Sequence, residues 1–151
     1  MKIASIVDRK GSLVISVPET VLLGKAMETM FHSNIGSVVV LDRVVGSVIG
    51  IISQQELVAA AVARGGEAMQ LPVHLFMRKP VLVCNCQDDA ATVMGAMTLE
   101  RSRHAVVLTQ GSTLAGLVSL GDLVAALLEE AQLEVGVLRD MARSRLMASL
   151  G

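Results

Sequence analysis

The chain has 151 residues, of which 52% are hydrophobic, and a mean hydropathy of +0.61; this is ample material for a packed core and argues against disorder. Its net charge of -1 leaves no basic excess to hold a phosphate backbone, which disfavours nucleic-acid binding. No apolar run approaches the ~20 residues of a membrane span, and the first ten residues lack the apolar stretch of a secretion signal. A cytoplasmic protein without membrane contact is therefore expected.

The hydrophobic periodicity predicts alternating strands and helices along the whole chain. In chain order, the first elements are a strand at 13–17, a helix from Leu23, strands at 37–41 and 47–52, and a helix at 54–64. The later elements are a strand at 81–84, a helix at 90–97, strands at 105–109 and 114–118, and a helix at 121–131. Turns are expected at 42–43 and 110–112. An amphipathic helix at 132–145 follows, which could pack on the body or on a second subunit.

The two series of elements form an internal repeat. Met27 and Met30 align with Met94 and Met97, and the strands that follow align at the same spacing. After a one-residue deletion in the hairpin, the closing helices align as well. The repeat predicts two copies of one small α/β unit.

Cys84 and Cys86 are the two cysteines of the chain. One residue separates them in a predicted strand, so their side chains point to opposite faces and a disulfide between them would be strained. Without a clustered His they also make a poor zinc site. Two reduced thiols and no metal site are the expectation, as in a cytosolic protein.

Both copies carry a Ser-x-x-acid pattern where the closing helix begins: Ser53 with Glu56, and Ser119 with Asp122. The pattern is typical of a capping box, in which the serine and the acid satisfy free backbone N–H groups. The same helix start could bind a ligand, since it attracts anions and since a carboxylate there can accept hydrogen bonds from ribose hydroxyls. Aspartate is the weaker capping acid, so the pattern favours ligand use in the second copy and capping in the first.

Basic residues gather just before a strand of the second copy, at Arg101, Arg103 and His104. Guanidinium and imidazole groups at a strand end could meet phosphate oxygens; the alternative is a solvated loop with ordinary charges. The corresponding residues of the first copy, 34–37, carry no charge. This asymmetry favours an anion site in the second copy.

The ordered set of motifs resembles a tandem pair of cystathionine-β-synthase (CBS) domains, or Bateman module, of the stand-alone prokaryotic type. The motifs are NIGSVVV at 34–40, GIISQQEL at 50–57, MRKPV at 77–81, MTLERSRHAVV at 97–107 and GLVSLGDLV at 116–124. The resemblance implies an α/β fold in which two pseudo-twofold-related β-α-β-β-α units pack sheet to sheet. The expected domains are residues 1–67 and 68–131, followed by a C-terminal helical extension at 132–151.

The resemblance also implies a ligand, because CBS pairs bind adenosine compounds in clefts between their units. AMP, ADP or ATP is the expected ligand, with NAD(H) and S-adenosylmethionine as alternatives and no obligatory cofactor. The implied ligand-binding residues are Ser119 and Asp122 for the ribose, Arg103 and His104 with Arg101 for phosphate, and Val83, Cys84 and Ala105 around the base. A secondary, degenerate site is implied at Ile35, Gly36, Ser53 and Glu56. It departs from the family at Glu56, where Asp is usual, and at Gln54, Gln55 and Ala59, where charged residues are common.

The expected function is that of a regulatory nucleotide sensor. Ligand binding would alter the conformation of a homodimer or its interaction with an unidentified regulated protein. The alternative is a CBS pair that acts as a dimerisation scaffold without a ligand. No catalytic residue is expected: Ser119 and Asp122 share one helix start, whereas a catalytic triad needs its histidine between nucleophile and acid.

Overall fold

The computed structural model describes residues 1–110 and 112–151. In chain order the elements are α1 (Ile3–Lys10), β1 (Ser16–Pro18), α2 (Leu23–His32), β2 (Ser37–Leu41), β3 (Val48–Ser53), α3 (Gln54–Arg64), β4 (Val83–Asn85), α4 (Ala90–Glu100), β5 (His104–Leu108), β6 (Leu114–Ser119) and α5 (Leu120–Leu150). Two 3₁₀ turns, Gly65–Gln70 and Val73–Leu75, follow α3. The prediction of a repeated α/β unit with a C-terminal helix is confirmed.

By packing, the chain forms two compact units. One comprises residues 13–81 and is called the middle unit here; the other joins residues 1–12 to residues 82–151 and is called the split unit. The predicted domain boundaries after residues 67 and 131 separate the two copies of the sequence repeat and the C-terminal extension, and they stay a prediction. The packing divides the chain differently because the first twelve residues belong with its second half.

Each unit contains a three-stranded sheet of the same topology. In the middle unit the order is β1-β2-β3, with β1 parallel and β3 antiparallel to β2; the split unit repeats this as β4-β5-β6. The central strands β2 and β5 consist mainly of aliphatic residues, and their middle residues are buried, as the aliphatic runs in their sequences predict. Each sheet has its own hydrophobic core with the helices of its unit.

Helix α1 is absent from the predicted elements. Its Ile3, Ile6 and Val7 are buried in the core of the split unit. Val7 lies over Gly116 of β6, where a Cβ atom would come within 3.2 Å of a Val7 methyl carbon. A residue larger than glycine at position 116 would therefore push against the helix, so α1 covers one face of this sheet.

Other boundaries shift by a few residues. Strand β1 begins at Ser16 rather than at the exposed Leu13. The helices predicted at 121–131 and 132–145 form the single helix α5. The predicted turn at 110–112 includes Gly111, which lies outside the described residues. Over the described part of the chain, none of the helices has the length and apolar character needed to cross a membrane.

Candidate functional site

Four of the predicted ligand-binding residues meet at one end of the split unit's sheet. The antiparallel register of β5 and β6 places His104 opposite Ser119. Helix α5 starts directly after Ser119, and the N–H of Leu120 donates to the carbonyl of Arg103 at 2.8 Å. Asp122 lies in the first turn of that helix. A hydroxyl, a carboxylate, an imidazole and a guanidinium are thus attached to adjoining backbone.

Ser119 and Asp122 form a complete capping box. The Ser119 N–H donates to Asp122 Oδ2 at 2.8 Å, and the Asp122 N–H donates to Ser119 Oγ at 3.1 Å. Both bonds satisfy N–H groups that a helix start leaves without an intrahelical partner. The capping interpretation of this pattern is therefore confirmed for the second copy, while the ligand use that the sequence favours there stays a prediction.

The middle unit has the same cap in a more closed setting. The Ser53 N–H donates to Glu56 Oε2 at 2.9 Å, the Ser53 hydroxyl donates to the same oxygen, and both residues are buried. The side chain of Asp122, by contrast, remains 28% exposed. The carboxylate of the second copy is the one that a ligand in solution could reach.

Lys10 is a site residue that the sequence does not reveal. Its Nζ donates to Asp122 Oδ2 at 2.6 Å and to the carbonyl of Leu117 at 3.0 Å. Partial burial acts to raise the pKa of Asp122, but the hydrogen bonds from Lys10 and Ser119 outweigh it and hold that pKa below its ordinary value. Asp122 is therefore a carboxylate at neutral pH and lies beside an ammonium group.

A hydrogen-bonded turn presents the two arginines. Arg101 ends α4 in the left-handed conformation, with φ 52° and ψ 37°. Buried Ser102 anchors the turn: its N–H donates to the carbonyl of Met97 at 2.9 Å, and its hydroxyl to that of His104 at 2.8 Å. The side chains of Arg101 and Arg103 are exposed. Their cationic groups can reach an anion near the strand end without rearrangement of the core.

The residues expected around the base differ in exposure. Cys84 and Ala105 are buried in the core of the split unit, whereas Val83 is 49% exposed. Burial, with added effects of Asp88 and Cys86, raises the pKa of the Cys84 thiol to about 12, so it is neutral at pH 7. Only backbone atoms of Cys84 and Ala105 could face a ligand, while Val83 has an accessible side chain.

The expected secondary site repeats the backbone arrangement without the charges. The N–H of Gln54 donates to the carbonyl of Gly36 at 3.3 Å, as Leu120 does to Arg103 in the split unit. Asn34 has a φ of 51°, which matches Arg101. Gly36 is exposed, and Ile35 is half-buried. The turn of the middle unit therefore carries the amide of Asn34 at the position where the split unit carries the guanidinium of Arg101.

The chain belongs to the CBS domain family. The family model matches twice, at residues 12–63 and 73–129. A CBS-domain-containing protein of Agrobacterium tumefaciens has a similar crystal structure, with a TM-score of 0.78 and 36% identity; the match covers 83% of this chain and 92% of that one. An uncharacterised 17.7 kDa protein of Acidianus ambivalens is 30% identical over 120 residues, which cover 80% of this chain and 71% of that protein. The predicted tandem CBS pair is thereby confirmed.

More distant structures share the fold. A CBS domain protein of Pyrobaculum aerophilum, solved in complex with AMP, has a TM-score of 0.74 and 20% identity; the match covers 87% of this chain and 99% of that one. A hexameric CBS-CP12 protein of bloom-forming cyanobacteria has a TM-score of 0.72 and 23% identity over 82% of this chain and 69% of that one.

Proposed function

We propose that this chain is a regulatory module that binds an adenosine nucleotide at the β5–β6 end of the split unit and that it is not an enzyme. The supporting observation is the joint position of a partly exposed carboxylate, Asp122, and a serine hydroxyl beside exposed arginines. The matching turn of the middle unit lacks cations, and the capping acid of that unit, Glu56, is buried. A fold relative in complex with AMP supports this class of ligand.

Asp122 can cap its helix and bind a ribose at the same time. The bonds from the Ser119 N–H and from Lys10 both end on Oδ2. Oδ1 is then the oxygen that accepts a hydrogen bond from a ribose hydroxyl. Because the carboxylate is ionised, such a charge-assisted bond is stronger than one between neutral groups.

The cations supply the phosphate contacts. Arg101 and Arg103 flank the strand end with guanidinium groups, His104 adds an imidazole, and Lys10 adds an ammonium group beside the carboxylate. Guanidinium groups can bind phosphate oxygens bidentately. A phosphorylated adenosine should therefore bind more tightly than adenosine itself, and AMP, ADP and ATP are the first ligands to test, ahead of NAD(H) and S-adenosylmethionine.

Calorimetric titration of AMP and ATP into the full chain tests the assignment. Asp122→Asn keeps an acceptor for the cap but removes the charge, and we expect affinity to fall at least tenfold, since a hydrogen bond to a charged group contributes about 1.5–3 kcal/mol. Glu56→Gln is the matched control in the other copy and should leave affinity within about twofold. Loss of binding in Glu56→Gln with normal binding in Asp122→Asn would reverse the assignment.

A regulatory role requires that binding change another equilibrium. We propose that the chain acts as a homodimer in the cytoplasm, where its free Cys84 and Cys86 would stay reduced. An adenosine nucleotide would shift the conformation of the dimer or its affinity for a regulated protein, by no more than its differential affinity for the two states. The hexameric CBS-CP12 protein is an oligomer of the same fold.

A dimerisation scaffold is the second candidate, and the ion pair between Lys10 and Asp122 favours it. In a scaffold, Asp122 would serve only the cap and this ion pair. A thermal-shift series with AMP, ADP, ATP, NAD(H) and S-adenosylmethionine separates the two candidates, because a ligand that binds the folded state raises its stability. Absence of any shift at millimolar ligand would favour the scaffold.

A further inference from the structure

The end of helix α5 is amphipathic and leaves its apolar side chains exposed. Residues 131–150, called the α5 tail here, are all exposed. They nevertheless include large apolar side chains, among them Leu138 and Met141, which are 65% and 55% exposed. A helix with an apolar stripe normally buries it against another element. The tail therefore has the character of an interface.

One row of residues in the α5 tail, which includes Leu138 and Met141, has the spacing of a two-helix seam. Ala131, Glu134, Leu138, Met141 and Arg145 are separated by three, four, three and four residues, and Ala148 continues the series. This alternation keeps all six side chains along one side of the helix. The centre of the seam is apolar, one charged residue lies a turn further out on each side, and a small residue, alanine, lies at each end.

The seam is complementary to itself when it is read in reverse. About a midpoint between Arg139 and Asp140, Leu138 falls opposite Met141, Glu134 opposite Arg145, and Ala131 opposite Ala148. Each match pairs large with large, acid with base, or small with small. Such reciprocal matching is what a twofold axis between two copies of one helix requires.

We propose that the α5 tail pairs antiparallel with the α5 tail of a second copy of this chain, about a twofold axis that crosses the helices between residues 139 and 140. A parallel pair would place Glu134 against Glu134 and Arg145 against Arg145, and both contacts repel. The antiparallel pair converts them into two Glu134–Arg145 ion pairs and buries Leu138 and Met141 at the centre. The charges thus select the orientation, and the apolar residues supply the association energy.

This inference gives a surface and a register to the homodimer of the proposed function. It does not depend on nucleotide binding, which can be measured on the same samples. A monomeric chain that binds AMP would overturn the pairing and leave the ligand site standing. A dimer that binds no nucleotide would leave the pairing standing and overturn the ligand site.

Charge reversal tests the pairing in the full chain. In sedimentation equilibrium, Glu134→Arg and Arg145→Glu should each weaken the dimer at least tenfold, because each introduces two repulsive contacts. The double variant Glu134→Arg/Arg145→Glu should restore association to within about threefold of the unchanged chain. The matched control is Arg143→Glu on the opposite side of the helix, which should leave the dimer unchanged. Equal dimerisation of all variants, or failure of the double variant to recover while its circular dichroism stays helical, would overturn the proposal.

Disulfide trapping tests the direction. In the antiparallel pair Ala131 lies beside Ala148 of the second copy, while the two Ala131 residues are about 25 Å apart, given 1.5 Å per helical residue. A mixture of Ala131→Cys and Ala148→Cys chains should therefore cross-link under mild oxidation, and neither variant alone should do so. The unchanged chain, which has buried Cys84 and half-buried Cys86, is the control. If either variant cross-links alone, and the mixture shows no more cross-linking than that variant does, the pair is parallel and the proposed register is rejected.

Discussion

Asp122 is the residue on which the proposed ligand site depends, and it already has two partners. Oδ2 accepts from the Ser119 backbone and from Lys10. A Ser-x-x-Asp motif can therefore cap a helix and still offer its second carboxylate oxygen. The presence of a capping box does not by itself decide between structure and binding. The two acids differ in exposure, since Asp122 is partly exposed and Glu56 is buried, and the proposed assignment depends on that difference.

The contact between Lys10 and Asp122 should make stability depend on acid pH. The pKa of Asp122 is lowered by folding, so its contribution is complete above the ordinary carboxyl value of about 4 and is lost as pH falls through the lower folded value. Urea unfolding between pH 3 and pH 6 should show a smaller loss of stability on acidification in Lys10→Met than in the unchanged chain. Lys25→Met, which removes the exposed contact to Glu28, is the control and should retain the full loss. Parallel pH curves for Lys10→Met and the unchanged chain would contradict this role of Lys10.

Arg101 combines backbone strain with a charge at the proposed phosphate site. Its left-handed conformation costs a side-chain residue about 1–2 kcal/mol and suits asparagine better, as Asn34 shows in the middle unit. Arg101→Asn should therefore raise the free energy of unfolding by up to about 1 kcal/mol. It should weaken AMP binding several-fold and leave adenosine binding unchanged. A variant that is no more stable would contradict the backbone strain at Arg101, and one that weakens AMP and adenosine binding equally would show that Arg101 does not act on phosphate.

At the scale of elements, the sequence predicts those whose pattern is local. Strand β2 and helix α3 have the predicted bounds, because a continuous aliphatic run and a serine cap mark them directly. The charged strand end can also be read from Arg101, Arg103 and His104. Helix α1 has a local signal as well, since Ile3, Ile6 and Val7 recur at helical spacing. Its packing partners lie more than seventy residues away, so nothing local shows where it docks, and Lys10 could not be placed beside Asp122.

The buried face of α1 should contribute strongly to stability. Ile6 is 3% exposed within the core of the split unit. Ile6→Ala should lower the free energy of unfolding by about 2–5 kcal/mol, because it removes buried methyl groups and leaves a cavity. Leu13→Ala, which alters a side chain that is 87% exposed, should change it by no more than about 0.5 kcal/mol. Equal effects of the two substitutions in urea unfolding would mean that α1 is not docked as described.

At the scale of the whole molecule, the repeat in sequence and the units in space do not coincide. The middle unit is one continuous segment, whereas the split unit needs both ends of the chain. The copies also differ in charge at their corresponding turns. A duplicated sequence has thus given one unit with a candidate ligand site and one whose equivalent position is a buried cap.

Removal of α1 should affect one unit more than the other. In a chain that lacks residues 1–11, the core residues that α1 contacts, such as Val118 and Gly116, lose their cover. Amide hydrogen exchange should therefore accelerate across residues 82–126 while residues 13–81 keep most of their protection. Uniform acceleration throughout the chain would show that the two units do not respond separately.

The location of α1 also has a consequence during synthesis on the ribosome. Residues 13–81 hold all the residues of their own core once they have emerged, whereas Ile3, Ile6 and Val7 must wait for β6 and α5. At about 5–20 residues per second, this delay is on the order of ten seconds. Throughout that interval the nascent chain exposes the apolar face of α1, formed by Ile3, Ile6 and Val7, so this face is a place where a chaperone would bind before β6 and α5 have been made.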